Sequence, residues 1–223
     1  GLVDGNPPTF LELSLMYSSV RERDMSLADA HRPTNTRERY RLMTDAASRP
    51  FAAGAIAVPL GLPVLGYLSS DVRIMFTIHL FLGAFWFGTA VLGAVVLGPV
   101  MGSLSEEANV EFAEGFVPKM NLLMEPVSVG AIGSGIGLAS MMGLWASPTP
   151  SLWAAAALAV ALLFLGFGPL HRFTSGMFDE IAAEDTDHDR LAELNKKYGM
   201  LSMVELLLMV AIVATMSGLR WGF

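Results

Sequence analysis

From Ile74 to Met101 the chain runs IMFTIHLFLGAFWFGTAVLGAVVLGPVM, twenty-eight residues whose only ionisable side chain is His79. A helix needs about 20 apolar residues to cross roughly 30 Å of hydrocarbon at about 1.5 Å per residue. Lipid offers the backbone no hydrogen bonds, so such a segment must be helical, and an imidazole inside it must find a partner on another helix, a cofactor or the interface. Composition agrees: 53% of residues are hydrophobic and 16% charged, against about a quarter charged in a soluble domain. The reading is an all-α, polytopic membrane bundle. With no cysteine, disulfides and thiolate metal sites are excluded, leaving His, Met, Glu and Asp as ligands. The net charge of −7 argues against a nucleic-acid partner.

Residues 1–50 read as a polar, extramembranous arm with seven arginines interleaved with acids, where Thr9 caps a short helix through Arg23. No signal-peptide pattern is visible, and the absence of an initiator Met points to a trimmed N-terminus. Phe51–Leu68, within a 51–73 segment, is uncharged but short and contains Pro59 and Pro63; it is a kinked first span or a re-entrant segment. Basic residues choose between the two. If it spans, the arm and the loops ending at Lys119 and Lys197 share one side, leaving Arg73 and Arg220 opposite, as the positive-inside rule requires. Five spans follow, with a cytoplasmic arm in a prokaryotic membrane and residues 74–223 forming four core spans.

The core continues with an acidic loop, Gly102–Lys119, then a span from about Met120 to Ala146 with Gly133 and Gly137 at close-packing spacing. Ser147-Pro148-Thr149-Pro150 turns the chain into a span from Ser151 to His171. A second acidic loop, Arg172–Lys197, is expected to be partly helical, and Tyr198–Leu219 is the last span, anchored by Arg220 and Trp221. Two stretches align. Leu97-Gly98-Pro99 and Phe167-Gly168-Pro169 each precede an acidic loop ending in lysine, after which Met120 and Met200 each stand five residues before Glu125 and Glu205. A duplicated helical hairpin accounts for this.

His79, Trp86, Phe87 and Gly88 opening a helix, the Gly-Pro at its end, a loop closing in a basic residue, and a final helix after Asn195-Lys196-Lys197 resemble the superfamily of the CopD copper-resistance membrane domain and HemJ-type protoporphyrinogen oxidases. The resemblance covers roughly residues 74–219; the arm and extra span lie outside that fold. It implies haem b binding or porphyrinogen oxidation with His79 and Lys119 as the residues concerned.

Two sites follow from depth. An outer site centres on His79, a normal axial haem ligand, with Trp86 two turns along the same face; the plainer alternative is a histidine donating to a neighbouring helix carbonyl. About 20 Å away, an inner site gathers Glu125, Glu205 and His171 near Met120, Met124, Met200 and Met203, thioethers suited to Cu(I). The plainer alternative makes the methionines packing and Glu125, just before Pro126, a first-turn carboxylate. Glu205 is surrounded by apolar residues, so it is expected to pair with His171, Arg172 or Lys119 or to stay protonated. The functional expectation is a membrane protein binding haem b or copper within a redox complex. The rival is an accessory subunit docking other membrane subunits or itself.

Overall fold

The computed structural model describes Pro33 and residues 35–183 and 186–221; the expected Thr9 cap and the first arginines of the arm lie outside this range. In chain order, α1 is Thr36–Ala47, α2 is Arg49–Leu68 and α3 is Val72–Val91, which passes through a wide π turn, Leu92–Leu97, into α4, Gly98–Met101. The return helix α5 is Glu106–Met141. The second half repeats the scheme: α6 is Pro150–Leu165, a π turn covers Gly166–Leu170, α7 is His171–Ile181 and α8 is His188–Trp221. Among the described residues there is no strand. Five segments are long and apolar enough to cross a membrane: Arg49–Leu68, Val72–Met101, Ala108–Met141, Pro150–Ile181 and His188–Leu219.

Local chemistry sets the helix starts. Asn35, Asp71, Ser105 and Thr149 each accept a backbone N–H of the first turn they cap, the tightest being Arg73 N to Asp71 Oδ1 at 2.7 Å. The π turns follow from the Gly-Pro pairs. Proline lacks an N–H and its ring crowds the carbonyl four residues back; a wider turn relieves that crowding. Accordingly, Gly98 N bonds Gly93 O and His171 N bonds Gly166 O, both five residues back. The same device stands at Pro99 and Pro169, at matching places in the two stretches that align.

Within the Pro-containing segment 51–73, Phe51–Leu68 is continuous helix, part of α2, and the turn to α3 follows. Pro63 has no N–H to offer the Pro59 carbonyl four residues earlier, so that oxygen is left without its helical donor. Gly130 of α5 lies against it, so close that a Cβ at this position would overlap Pro59 O. Gly66 likewise receives Met75 and Ile78, and Gly137 receives Met75, drawing α2, α3 and α5 together.

The first acidic loop is the main departure from the sequence reading, whereas the second is largely helical, as expected. Glu111 and Glu114 are in α5, and Asp179 and Glu180 are in α7. Ser105 caps the start of α5, and the helix continues through Pro118 and Pro126, so the segment runs on past the membrane. A 34-residue segment such as Ala108–Met141 rises about 51 Å, roughly 20 Å more than the hydrocarbon needs.

At that projecting end, α1 docks on α5 and α7. Met43 and Ala47 are buried with Ala113, Val117, Phe178, Ile181 and Ala182. A second cluster, Leu82, Trp86, Val127, Ala131, Leu162 and Met209, closes the middle of the bundle. Facing outward are Phe81, Phe85, Phe164, Leu207 and Val210, side chains suited to lipid.

Candidate functional site: an intramembrane cavity

Between the two hairpins lies a cavity of about 450 Å³, walled by both π turns and by α5 and α8. Its mouth, at the end where α1 docks, carries the exposed His188, Asp189 and Asn195; its floor carries Trp86, Glu125, Ser128 and Glu205. Along α8 the path from Asp189 to Glu205 is about 24 Å. Beyond the floor the buried Leu82, Val127, Ala131, Leu162 and Met209 close the way to the far side.

Each repeat-related glutamate is held by a residue of the other half. Glu205 Oε1 accepts a hydrogen bond from Trp86 Nε1–H at 3.2 Å. Glu125 Oε1 accepts from His171 Nδ1–H at 2.5 Å, and Glu125 Oε2 accepts from the Tyr40 hydroxyl at 3.2 Å. His171 Nε2 lies 3.3 Å from Ser175 Oγ, so both ring nitrogens have partners. The Tyr40 ring stacks against His171 with centroids 6.5 Å apart. One residue before Tyr40, the Arg39 guanidinium forms a two-pronged pair with Asp179, at 2.7 and 2.6 Å. Burial, then the Glu125 carboxylate, pushes the Tyr40 phenol up to about 12, and the hydrogen bond to Asp179 raises the already high Arg39 value further.

The structure regroups the residues singled out from the sequence. Glu125, Glu205, Met120 and Met124 line the cavity; Met200 and Met203 project outward from α8, 58% and 51% exposed, and do not. Trp86, assigned above to the outer site with His79, belongs to the inner one, and it rather than His171, Arg172 or Lys119 is the hydrogen-bond partner of Glu205. Lys119 is exposed on α5 and is not part of the wall. Met101, Met177 and Tyr198 also line the cavity and were missed. For Tyr198 a signal existed: Tyr198, Ser202, Glu205 and Met209 recur at helical spacing on one stripe of α8, and Met200 and Met203 fall off it.

His79 stands apart from this cavity. Its Nδ1–H donates to the Ala131 carbonyl at 3.0 Å, with Ser134 Oγ at 3.2 Å, and its ring fills the space that a Cβ on Gly135 would need. The His79 ring lies against α5 at Gly135 and is no part of the cavity wall. Neither ring nitrogen of His171 is open. Among the described residues no three His, Asp or Glu side chains gather as a metal cluster, so a cation here would rely on thioethers. Of the wall's methionines, Met120 and Met124 stand nearest the floor with Glu205 and suit one, whereas Met101 is about 22 Å along its span from Trp86, nearer the mouth. No known family model, curated protein or solved structure matches the chain.

Proposed function

We propose that this is an integral membrane protein that holds a soft monovalent cation, Cu(I), in the cavity between its two hairpins, with the cation entering from the end where the arm helix docks. One observation carries the reading: four methionines and an acidic floor share the wall of a single intramembrane cavity. Thioethers are soft donors that select Cu(I), whereas Ca²⁺ and Mg²⁺ demand six or more oxygen ligands. The exposed Asp189 at the mouth and the net charge of −7 favour the approach of cations. The resemblance to the CopD group points the same way. Neither haem binding nor porphyrinogen oxidation gains support from the placement of His79 and Lys119. The accessory-subunit reading rests on the polar arm and the glycine-rich helix faces, of which Gly66, Gly130 and Gly137 are used in packing within the bundle.

The test is competition for Cu(I) against a chromogenic chelator, using the full chain in detergent. Wild type is expected to bind one Cu(I), and Met120→Leu/Met124→Leu to lose at least about tenfold in affinity, ~1.4 kcal/mol. Met200→Leu/Met203→Leu is expected to bind as wild type does. Absence of Cu(I) binding by wild type, or equal losses in the two double variants, would refute the proposal.

A further inference from the structure

We infer that the two repeat-related glutamates have divided their tasks: Glu205 offers a carboxylate oxygen to the guest of the cavity, while Glu125 latches the arm helix to the bundle. This deepens the cation reading and rests on it for the identity of the guest, but the division itself stands on hydrogen-bond geometry. Both glutamates line the cavity at matching places in the two hairpins. Their carboxylates are used differently. Both oxygens of Glu125 are engaged, Oε1 by His171 and Oε2 by Tyr40. Only Oε1 of Glu205 is engaged, by Trp86; among the described residues nothing hydrogen-bonds Oε2. A carboxylate in an apolar cavity with one oxygen unpartnered is the natural counter-charge for a guest, whereas a doubly held one must first give up a partner.

The partners of Glu125 show what it does instead. Tyr40 lies in α1, and the adjacent Arg39 clamps Asp179 of α7 by two hydrogen bonds. Met43 and Ala47, on the same helix, are 1% and 2% exposed against α5 and α7. The arm helix is therefore fastened to the wall of the cavity through Glu125. Among the described residues no arm helix reaches Glu205, which leaves its Oε2 for the cavity. Trp86 is a positioning residue for Glu205: its indole N–H fixes one oxygen and thereby aims the other.

Labelling with N,N′-dicyclohexylcarbodiimide, followed by peptide mass spectrometry, tests this on the full chain in detergent. A carboxyl group adds across the carbodiimide, its proton passing to a nitrogen, and the O-acylisourea rearranges to a stable N-acylurea with no other reagent consumed. Wild type is expected to be labelled at Glu205 and spared at Glu125, and 1:1 Ag(I), a redox-inert stand-in for Cu(I), to protect Glu205. In Tyr40→Phe, which keeps the ring, labelling of Glu125 is expected to rise several-fold, and trypsin is expected to cut faster at Arg37 and Arg41. Trp86→Phe is expected to weaken Ag(I) protection while the tryptic pattern stays that of wild type. Equal labelling of the two glutamates in wild type overturns the division. So does a Glu205→Gln protein whose arm is cut as fast as that of Glu125→Gln. Protein that binds Ag(I) without protecting Glu205 overturns its role toward the guest. If no Ag(I) binds at all, it is the cation reading that fails, and the labelling pattern alone then decides the division.

Discussion

Replacing Gly130 by alanine asks whether the unusual first span is held as described. The added methyl group would overlap the Pro59 carbonyl oxygen, a backbone atom that cannot rotate aside as a side chain would, so α2 and α5 must move apart. Forcing a methylene-sized group into a packed interface costs about 1–3 kcal/mol. Alanine also favours a helix over glycine by about 1 kcal/mol, which would mask part of the loss. Gly133→Ala supplies the control: it lies one turn away in the same helix, exposed, with open space around its Cβ, and gains the same propensity without the overlap. The difference between the two variants isolates the clash. For a chain of this size each kcal/mol moves the midpoint about 2–4 °C, so Gly130→Ala is expected to melt about 2–12 °C below Gly133→Ala. Matched heating scans of helical circular dichroism in one detergent measure this, the identical scan rate cancelling any irreversibility. Equal midpoints would mean that α2 does not approach α5 through Gly130, and with it the close packing that seals the far half of the bundle would be lost.

Two further outcomes follow from the polar contacts. His79→Ala removes the hydrogen bonds to Ala131 and Ser134 and empties the space beside Gly135, so stability is expected to fall by about 1–3 kcal/mol. Its Cu(I) affinity should match wild type, because His79 is outside the cavity wall; a large loss of affinity would return His79 to the site. For Tyr40 the folded value of about 12 lies above the unfolded value near 10. Between these pH values the unfolded chain releases a proton that the folded chain keeps, so the contribution of Tyr40 to stability is present below pH 10 and lost as pH rises toward 12. Wild type is therefore expected to lose more stability than Tyr40→Phe over this window, and parallel pH profiles would show that the phenol is not held as described.

The spans were legible because hydrophobic length is a one-dimensional property; the two Gly-Pro pairs were legible as landmarks, but as helix ends, and the π turns through which both helices continue were not. The hydrogen bond of His79 to a neighbouring carbonyl was also within reach, as the plainer alternative for a lone intramembrane imidazole. What could not be read was pairing across the fold. Arg39 and Asp179 are 140 residues apart, and nothing in either neighbourhood names the other. Trp86 and Glu205 were both marked as intramembrane polar groups, but grouping Trp86 with His79 by shared helix face hid its donor from the carboxylate 119 residues away. The methionines were gathered by nearness in sequence, which ignores the 100° advance per residue that turns Met200 and Met203 outward while Glu205 faces in. The first acidic stretch misled for a related reason. Charge signals that a segment leaves the hydrocarbon, but it does not signal that a helix ends there.

The cavity lies wholly in the half of the bundle where the arm docks, and this asymmetry bears on mechanism. In the other half, glycine contacts at Gly66, Gly130, Gly135 and Gly137 bring α2, α3 and α5 close enough that side chains fill the space between them. The two halves meet at Leu82, Val127, Leu162 and Met209, buried to 3% exposure or less. An ion crossing that layer would leave its thioether and carboxylate partners for hydrocarbon, a transfer whose cost in a low-dielectric medium far exceeds thermal energy. The geometry therefore favours a bound guest that enters and leaves at the arm end over an open conduit. It also gives the glutamate latch a physical setting, since the helix that Glu125 holds is docked at the end where the mouth of the cavity lies.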